Sequence, residues 1–322
     1  IPWYEYDGDQ WFPQANVHVF ADTVKDAKAK GCQGLLGIHW RTKEVGESQA
    51  YVARAAWHLD QTLESFYADY ARRRFGEALA DEMAAIQPGL APRFTHGTFT
   101  PGWYSIADPQ GYTVALAEHF RARGGTIERL EVESLEPREG GVTIHARGGQ
   151  TRQATQVVLA AGAFSHRIAR SLGERIPLET ERGYNTTLPP DAFDLRTQVT
   201  FGGHGFVVSR LSIGIRVGGA VELGGLDLAP NFRRSEAMLA KARTFLPGLK
   251  PEGGVQWMGF RPSLPDSLPA IGRARATQRV VYAFGHGHLG LTQSAGTARI
   301  VADLLTGKAT PIDMAAFSPQ RF

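Results

Sequence analysis

The chain is poor in several things, and each shortage excludes something. It has one cysteine, Cys32, in 322 residues, so no disulfide can form within it, and the composition suits a reducing, cytoplasmic setting. It has no apolar run long enough to cross a bilayer and no secretory leader, so no integral membrane segment is expected. It has little net charge: 35 Lys and Arg against 32 Asp and Glu leave +3, which does not call for a nucleic-acid partner. The one basic run, Arg72-Arg73-Arg74, falls on an expected helix and reads as a solvated face. It lacks repeats and low-complexity tracts. It does not begin with Met, so Ile1 reads as the start of a fragment or a processed chain. What it has in quantity is glycine, 37 residues, and a hydrophobic share of 43%, enough for a large core and two domains.

The densest local signal lies between Arg279 and Gly307. An apolar strand, Val280 to Phe284, runs into Gly285-His286-Gly287-His288-Leu289-Gly290 and then into a helix expected from about Thr292 to Leu305. Strand, G-x-G-x-x-G and helix is the layout of a dinucleotide fingerprint. Such a fingerprint should open a βαβ unit, with an acidic residue about 20 residues later, and only a short tail follows here. The glycines still allow close approach of a planar ligand, and the helix N-terminus still offers free N–H groups. A flavin ring oxygen suits that spot better than a pyrophosphate. His286 and His288 form an H-x-H pair with no third ligand nearby, so no metal site is expected.

Two unlike segments precede this motif. Residues 1–83 are aromatic-rich and mostly helical by pattern. Leu63, Phe66, Tyr67, Tyr70 and Ala71 recur at helical spacing, with Asp60 or Thr62 as cap and Gly76 as stop. This stripe is a core face first, and a sheet edge left open elsewhere would offer it a partner. Residues 84–322 alternate helices and strands. Asp108-Pro109 is a cap followed by a first-turn proline. Strands are expected at Thr126–Leu135, Val142–Ala146 and Thr151–Ala161, and Val157–Ala161 reads as a strand buried on both faces. Further strands are expected at Thr197–Phe201, Phe206–Arg210 and Ile213–Leu223, with a helix at Ser235–Phe245.

The first segment resembles the C-terminal end of a glycoside-hydrolase (β/α)8 barrel of the α-glucuronidase-like kind. The resemblance rests on Pro2-Trp3-Tyr4-Glu5, Pro13-Gln14-Asn16 and Gly37-Ile38-His39-Trp40-Arg41-Thr42. It implies that Glu5, Asp7 and Glu44 are candidate glycosidase carboxylates and that Trp3, Trp11 and Trp40 could stack on sugars. The same residues also read as surface acids and core aromatics, and about 80 residues cannot close such a barrel.

The larger segment resembles the FAD-dependent D-amino-acid oxidase superfamily, in its D-amino-acid dehydrogenase and glycine/sarcosine oxidase branch. The motifs are Val157-Val-Leu-Ala-Ala-Gly162, Arg182-Gly183-Tyr184, Arg216-Val-Gly-Gly219, Trp257-Met-Gly-Phe-Arg261-Pro262, Pro265-Asp266, Ile271-Gly272 and Gly285-His-Gly287-His-Leu-Gly290. The resemblance implies an α/β fold: an FAD-binding Rossmann-like domain from residues 84–175 and 270–322, with an antiparallel substrate sheet over 176–269. It implies FAD contacts from Val132, Ala161, Gly162, Gly285, His286, Gly287, His288, Leu289, Gly290 and Leu291. It matches Arg261 to the arginine that pairs with a substrate carboxylate, and it puts Tyr184 and His204 among the catalytic candidates. The implied reaction is oxidation of the α-C–N bond of a small D-amino or secondary amino acid. One departure stands out: no strand–G-x-G-x-x-G–helix unit precedes residue 84, so the Rossmann-like domain is expected to be incomplete. The alternatives are a carbohydrate-active fragment and a non-catalytic fusion remnant.

Overall fold

The computed structural model describes residues 17–32, 46–55, 60–63, 65–67, 69–70, 83–94, 97, 99–100 and 102–322. Two compact units result. One comprises residues 1–105, 191–205 and 241–250, the other 106–190, 206–240 and 251–322.

In the first unit, helices α1 (Val17–Ala29) and α2 (Gly46–Ala55) pack on the aromatic stripe. Phe20 and Val24 lie one turn apart on α1, and Tyr51, Val52 and Ala55 face them from α2. Phe66 is fully buried at their centre. Its ring meets Tyr51 edge-on at 5.1 Å and stacks on Tyr70 at 5.5 Å. Thr62 caps this turn, its hydroxyl accepting from the Ser65 N–H at 3.0 Å. The stripe therefore finds its partner in α1 and α2, not in a sheet edge. Glu5, Asp7, Glu44, Trp3, Trp11 and Trp40 lie outside the described residues. A second cluster in this unit joins Phe94, Phe201 and Phe245, with ring centroids about 5 Å apart. Gln87, one residue beyond the short helix α3 (Met83–Ile86), is buried and ties the unit's separate chain pieces together. Its side-chain carbonyl accepts from the Arg196 and Thr197 N–H groups, and its amide donates to the Asp194 carbonyl.

The second unit opens with helix α4 (Pro109–Ala122), capped as the sequence predicts: the Asp108 carboxylate accepts from the Gly111 N–H at 2.8 Å. Strands β1 (Val132–Arg138), β2 (Gly141–Ala146) and β3 (Gln150–Ala154) form an antiparallel meander. Residues 126–131 stay outside it, because β2 ends at Ala146, the partner of Val132, and offers no ladder further back. The long strand expected over 151–161 divides at Thr155-Gln156. Its first part pairs with β2; its second part, β4 (Val157–Leu159), enters a different sheet. Helix α5 (Ser165–Ala169) follows it.

That second sheet has the order β9-β10-β4, where β9 is Ala270–Arg273 and β10 is Val280–Phe284. β9 and β10 are antiparallel, and β10 runs parallel to β4 with Val157 opposite Val280 and Leu159 opposite Tyr282. Val280, Val281, Tyr282 and Phe284 are buried, as a near-continuous apolar strand requires. β4 lies at the edge of this sheet, so Val158 keeps 38% of its surface and the strand is not buried on both faces as expected.

The third sheet is antiparallel. Strands β5 (Glu179–Leu188), β6 (Phe206–Leu211), β7 (Gly214–Leu223) and β8 (Val255–Ser263) pair in the order β6-β7-β5-β8. Helix α6 (Arg233–Phe245) meets it through the Gln256 amide, which donates to the Ser235 hydroxyl at 3.0 Å. Helix α7 (Gly290–Thr306) follows β10 and ends at Gly307, whose left-handed backbone closes the C-cap.

Phe66→Ala should destabilise the first unit by about 3–5 kcal/mol, because it deletes a fully buried ring. Urea unfolding followed by tyrosine and tryptophan fluorescence measures this. A loss below about 1 kcal/mol would show that this aromatic cluster is not a core.

Candidate functional site

The parallel pairing of β4 with β10 is the starting point. Two parallel strands in register release their following loops at the same end, and this is where open α/β sheets bind ligands. Here those loops are Ala160-Ala161-Gly162 and Gly285–Leu291. Gly162 sits at φ +54, with no atom within 4 Å of where its Cβ would be. A side chain would therefore be excluded by backbone conformation, and the space above it is open to a ligand. Gly285 (φ +89) and Gly287 (φ +54) turn the second loop sharply. A Cβ at Gly285 would fall 2.5 Å from Leu264, so that glycine also permits close packing. Val132 is half-buried at the start of β1 and packs on the same core as Leu159 and Tyr282.

The two histidines diverge. His286 is half-buried with its Nε2 at 3.0 Å from the Thr297 hydroxyl, and burial pushes its pKa down, so the ring is neutral at pH 7. His288 is exposed. Among the described residues, no group of three His, Cys, Asp or Glu side chains is placed to hold a metal. Leu289, Gly290 and Leu291 open α7, whose N-terminus carries no side-chain cap. Nearby in sequence, the buried Ser165 hydroxyl and the Gln293 side-chain carbonyl have no hydrogen-bond partner among the described residues, which fits loops shaped around a ligand with polar atoms.

Arg261 projects from β8. Its guanidinium is half-buried and lies over Gly183 of β5, where a Cβ would be 2.4 Å from the guanidinium carbon. Burial lowers its pKa, and Glu181, its cross-strand neighbour, raises it; an arginine stays charged regardless. None of the described residues hydrogen-bonds this guanidinium, and none forms a salt bridge with it. The next residue joins this strand to the first loop pair: the Pro262 carbonyl accepts from the Gly287 N–H at 2.7 Å. One backbone hydrogen bond thus ties the residue that follows Arg261 to the Gly285–Leu291 loop.

Tyr184 does not share the Arg261 face of the sheet. Side chains alternate along a strand, so Glu181 and Gly183 share a face with Arg261 while Arg182 and Tyr184 point the other way. Tyr184 is 1% exposed. Its hydroxyl donates to the Glu222 carboxylate at 2.5 Å and accepts from the Asn231 N–H at 3.0 Å, so it has no free lone pair or proton on the Arg261 face. His204 belongs to the first unit, where its ring meets Phe245 at 4.6 Å and its carbonyl accepts from Lys241.

The hidden face carries a charged network that the sequence analysis missed. Arg182 is fully buried and donates to Glu222 at 3.2 Å and to the Leu228 carbonyl at 2.6 Å. Arg234 reaches the same carboxylate at 3.3 Å. The hydrogen bond from Tyr184, with Arg234 and Arg182, holds the Glu222 carboxyl below the usual carboxylate range. A strand carrying Glu181-Arg182 in a row of otherwise buried positions was the available signal.

A sheet with a parallel strand pair, whose paired loops leave from one end as in ligand-binding α/β sheets, is tied here to an antiparallel sheet in which the Arg261 guanidinium makes no hydrogen bond or salt bridge with the described residues. The comparisons name the family. The family model described as FAD dependent oxidoreductase, DAO, matches residues 25–304, and the chain belongs to this family. A D-amino-acid oxidase from Bradyrhizobium diazoefficiens is 39% identical over 252 residues, covering 76% of this chain and 59% of that protein. A D-amino acid dehydrogenase from Xanthobacter autotrophicus is 34% identical over 325 residues, covering 96% of this chain and 74% of its own length. The chain spans less than two thirds of the first of these relatives. In fold it is similar to glycine oxidase from Geobacillus kaustophilus, with a TM-score of 0.68 and 21% identity over 99% of this chain and 86% of that one. The family match takes in residues 25–83 as well, inside the segment that resembled a glycoside hydrolase.

Glu222 carries a pH signature. A carboxyl with a depressed folded-state pKa stabilises above its unfolded pKa, near 4.3, and the gain is lost as pH falls through the folded value. Glu222→Gln should therefore be less stable than the wild type at pH 7, with the gap closing below about pH 4. Thermal melts from pH 7 to pH 3 test this. A gap independent of pH would mean that Glu222 is not an ionised partner of this network.

Proposed function

We propose that this protein is an FAD-dependent oxidoreductase acting on the α-C–N bond of small D-amino or secondary amino acids. The observation that carries the reading is the half-buried Arg261 guanidinium, which makes no hydrogen bond or salt bridge with the described residues, has only the nearby Glu181 as a charged neighbour, and sits one residue before Pro262, the contact to the Gly287 loop. Desolvating a charge without pairing it is costly, and an anionic ligand would offset that cost. The planar fork of arginine binds a carboxylate bidentately and so orients the α-carbon. Val132, Ala161, Gly162 and Gly285 to Leu291 would hold the cofactor. FAD held there would supply a two-electron hydride acceptor for an amino acid bound with its amine unprotonated; the resulting iminium would take up water and give an oxo acid and ammonium or an amine. His286, neutral and anchored on Thr297, keeps the loop in shape without adding a positive charge beside Arg261.

In this reading Tyr184 serves from behind the sheet. It fixes the bulged part of β5 whose other face presents Gly183 to Arg261. His204 has no assigned step. Residues 1–131 contain no G-x-G-x-x-G turn. One family model spanning residues 25–304 supports a single oxidoreductase chain over a carbohydrate-active fragment.

Two measurements test the proposal. Added FAD should raise the melting temperature, since a ligand that binds only the folded state stabilises it. Absence of any shift or bound flavin at saturating FAD would favour a non-catalytic remnant. Arg261→Lys should cut kcat/KM for D-amino acids by the equivalent of about 2–5 kcal/mol while leaving flavin content nearly constant. Unchanged kinetics in that variant would remove Arg261 from the substrate site.

A further inference from the structure

The face of the third sheet that carries Arg261 has an unusual floor. Gly183 of β5 and Gly259 of β8 are direct cross-strand partners. Neither has the positive φ that favours glycine, so the missing side chains serve space, not backbone conformation. That space is filled from both ends. Arg261 folds over Gly183, and the Trp257 indole folds over Gly259, where a Cβ would lie 2.1 Å from its ring edge. Opposed Cβ positions in an antiparallel pair are about 5 Å apart, so the guanidinium and the indole edge lie within about 10 Å of one another. Trp257 keeps 57% of its surface exposed and has no aromatic partner among the described residues. Val221, opposite Gly183 on β7, is 44% exposed on the same face. Glu181, opposite Arg261, puts a carboxylate at the charged end.

We propose that Trp257 is the specificity wall of the substrate site. With the carboxylate held by Arg261, the side chain of the ligand lies on the exposed face of the Trp257 indole and beside Val221. This rests on the carboxylate-binding reading of Arg261 and narrows the substrate class to amino acids with a large apolar or aromatic side chain. Aromatic rings gain from edge or offset contact with an indole beyond the area they bury. A second carboxylate on the ligand is disfavoured by Glu181, through like-charge repulsion in a partly desolvated place.

The test uses carboxylates that cannot be oxidised, so it does not depend on turnover. Isothermal titration calorimetry, with FAD present, measures binding of 3-phenylpropionate, propionate and glutarate. 3-Phenylpropionate should bind about tenfold tighter than propionate, and glutarate no tighter than propionate. Trp257→Ala should abolish most of the 3-phenylpropionate preference, and Trp257→Phe should keep most of it. Arg261→Lys should weaken both monocarboxylates alike and leave their ratio unchanged. If the ratio survives in Trp257→Ala while Arg261→Lys still weakens both ligands, the specificity wall is wrong and the carboxylate site stands. If Arg261→Lys changes neither ligand, or the wild type binds neither, both readings fall.

Discussion

The in-register parallel pairing of β4 with β10 is the constraint on which the rest depends. The two strands are separated by more than a hundred residues of chain, which include the whole antiparallel sheet. Parallel strands need a long crossover, and in this chain that crossover holds the antiparallel sheet that carries Arg261. Once Val157 is opposite Val280, the loops at Gly162 and Gly285 must leave from the same end. The apolar runs Val157–Leu159 and Val280–Phe284 supply the drive, since their side chains bury against Ile168, Leu172 and Ala270.

The Gly287–Pro262 hydrogen bond then transmits that constraint to the second sheet. A backbone contact holds position without depending on a side-chain rotamer, so the Gly285–Leu291 loop and the end of β8 keep a fixed spacing.

Beneath Arg261 the sheet spends stability on charge. Arg182 is fully buried, and one of its own donors, Nε, has no partner in the protein. Burying an ion pair is often no better than an apolar replacement, and breaking one is costly. A network joining β5, β7 and the segment that leads into α6 nevertheless fixes one register for β5, through Glu222, Tyr184 and the Leu228 carbonyl. Register decides which face each side chain takes. A one-residue slip would exchange the Gly183 face for the Tyr184 face and destroy the floor under Arg261. We read the buried charges as specifying that register.

Local signals in the sequence determined a good deal. The Asp108 cap, the glycine stop after α7, the apolar strand before Gly285 and the Phe66 stripe all appear where neighbouring residues alone set backbone preference. Arg261 stood out through its Gly-Phe-Arg-Pro setting and the family resemblance. Other features depended on residues far apart in the chain. The division of 151–161 between two sheets could not be read locally, because both halves are β-formers and only their partners differ. Tyr184 stood among the catalytic candidates by resemblance, and only the pleat of β5 decides that its side chain takes the buried face. The stripe around Phe66 called for an apolar partner, but only packing chose α1 and α2. Periodicity and turn chemistry are properties of a few adjacent residues and survive in the sequence. Strand partnership, the face a side chain takes, and the tie between Pro262 and the Gly285–Leu291 loop are set by long-range pairing, which only the tertiary structure decides.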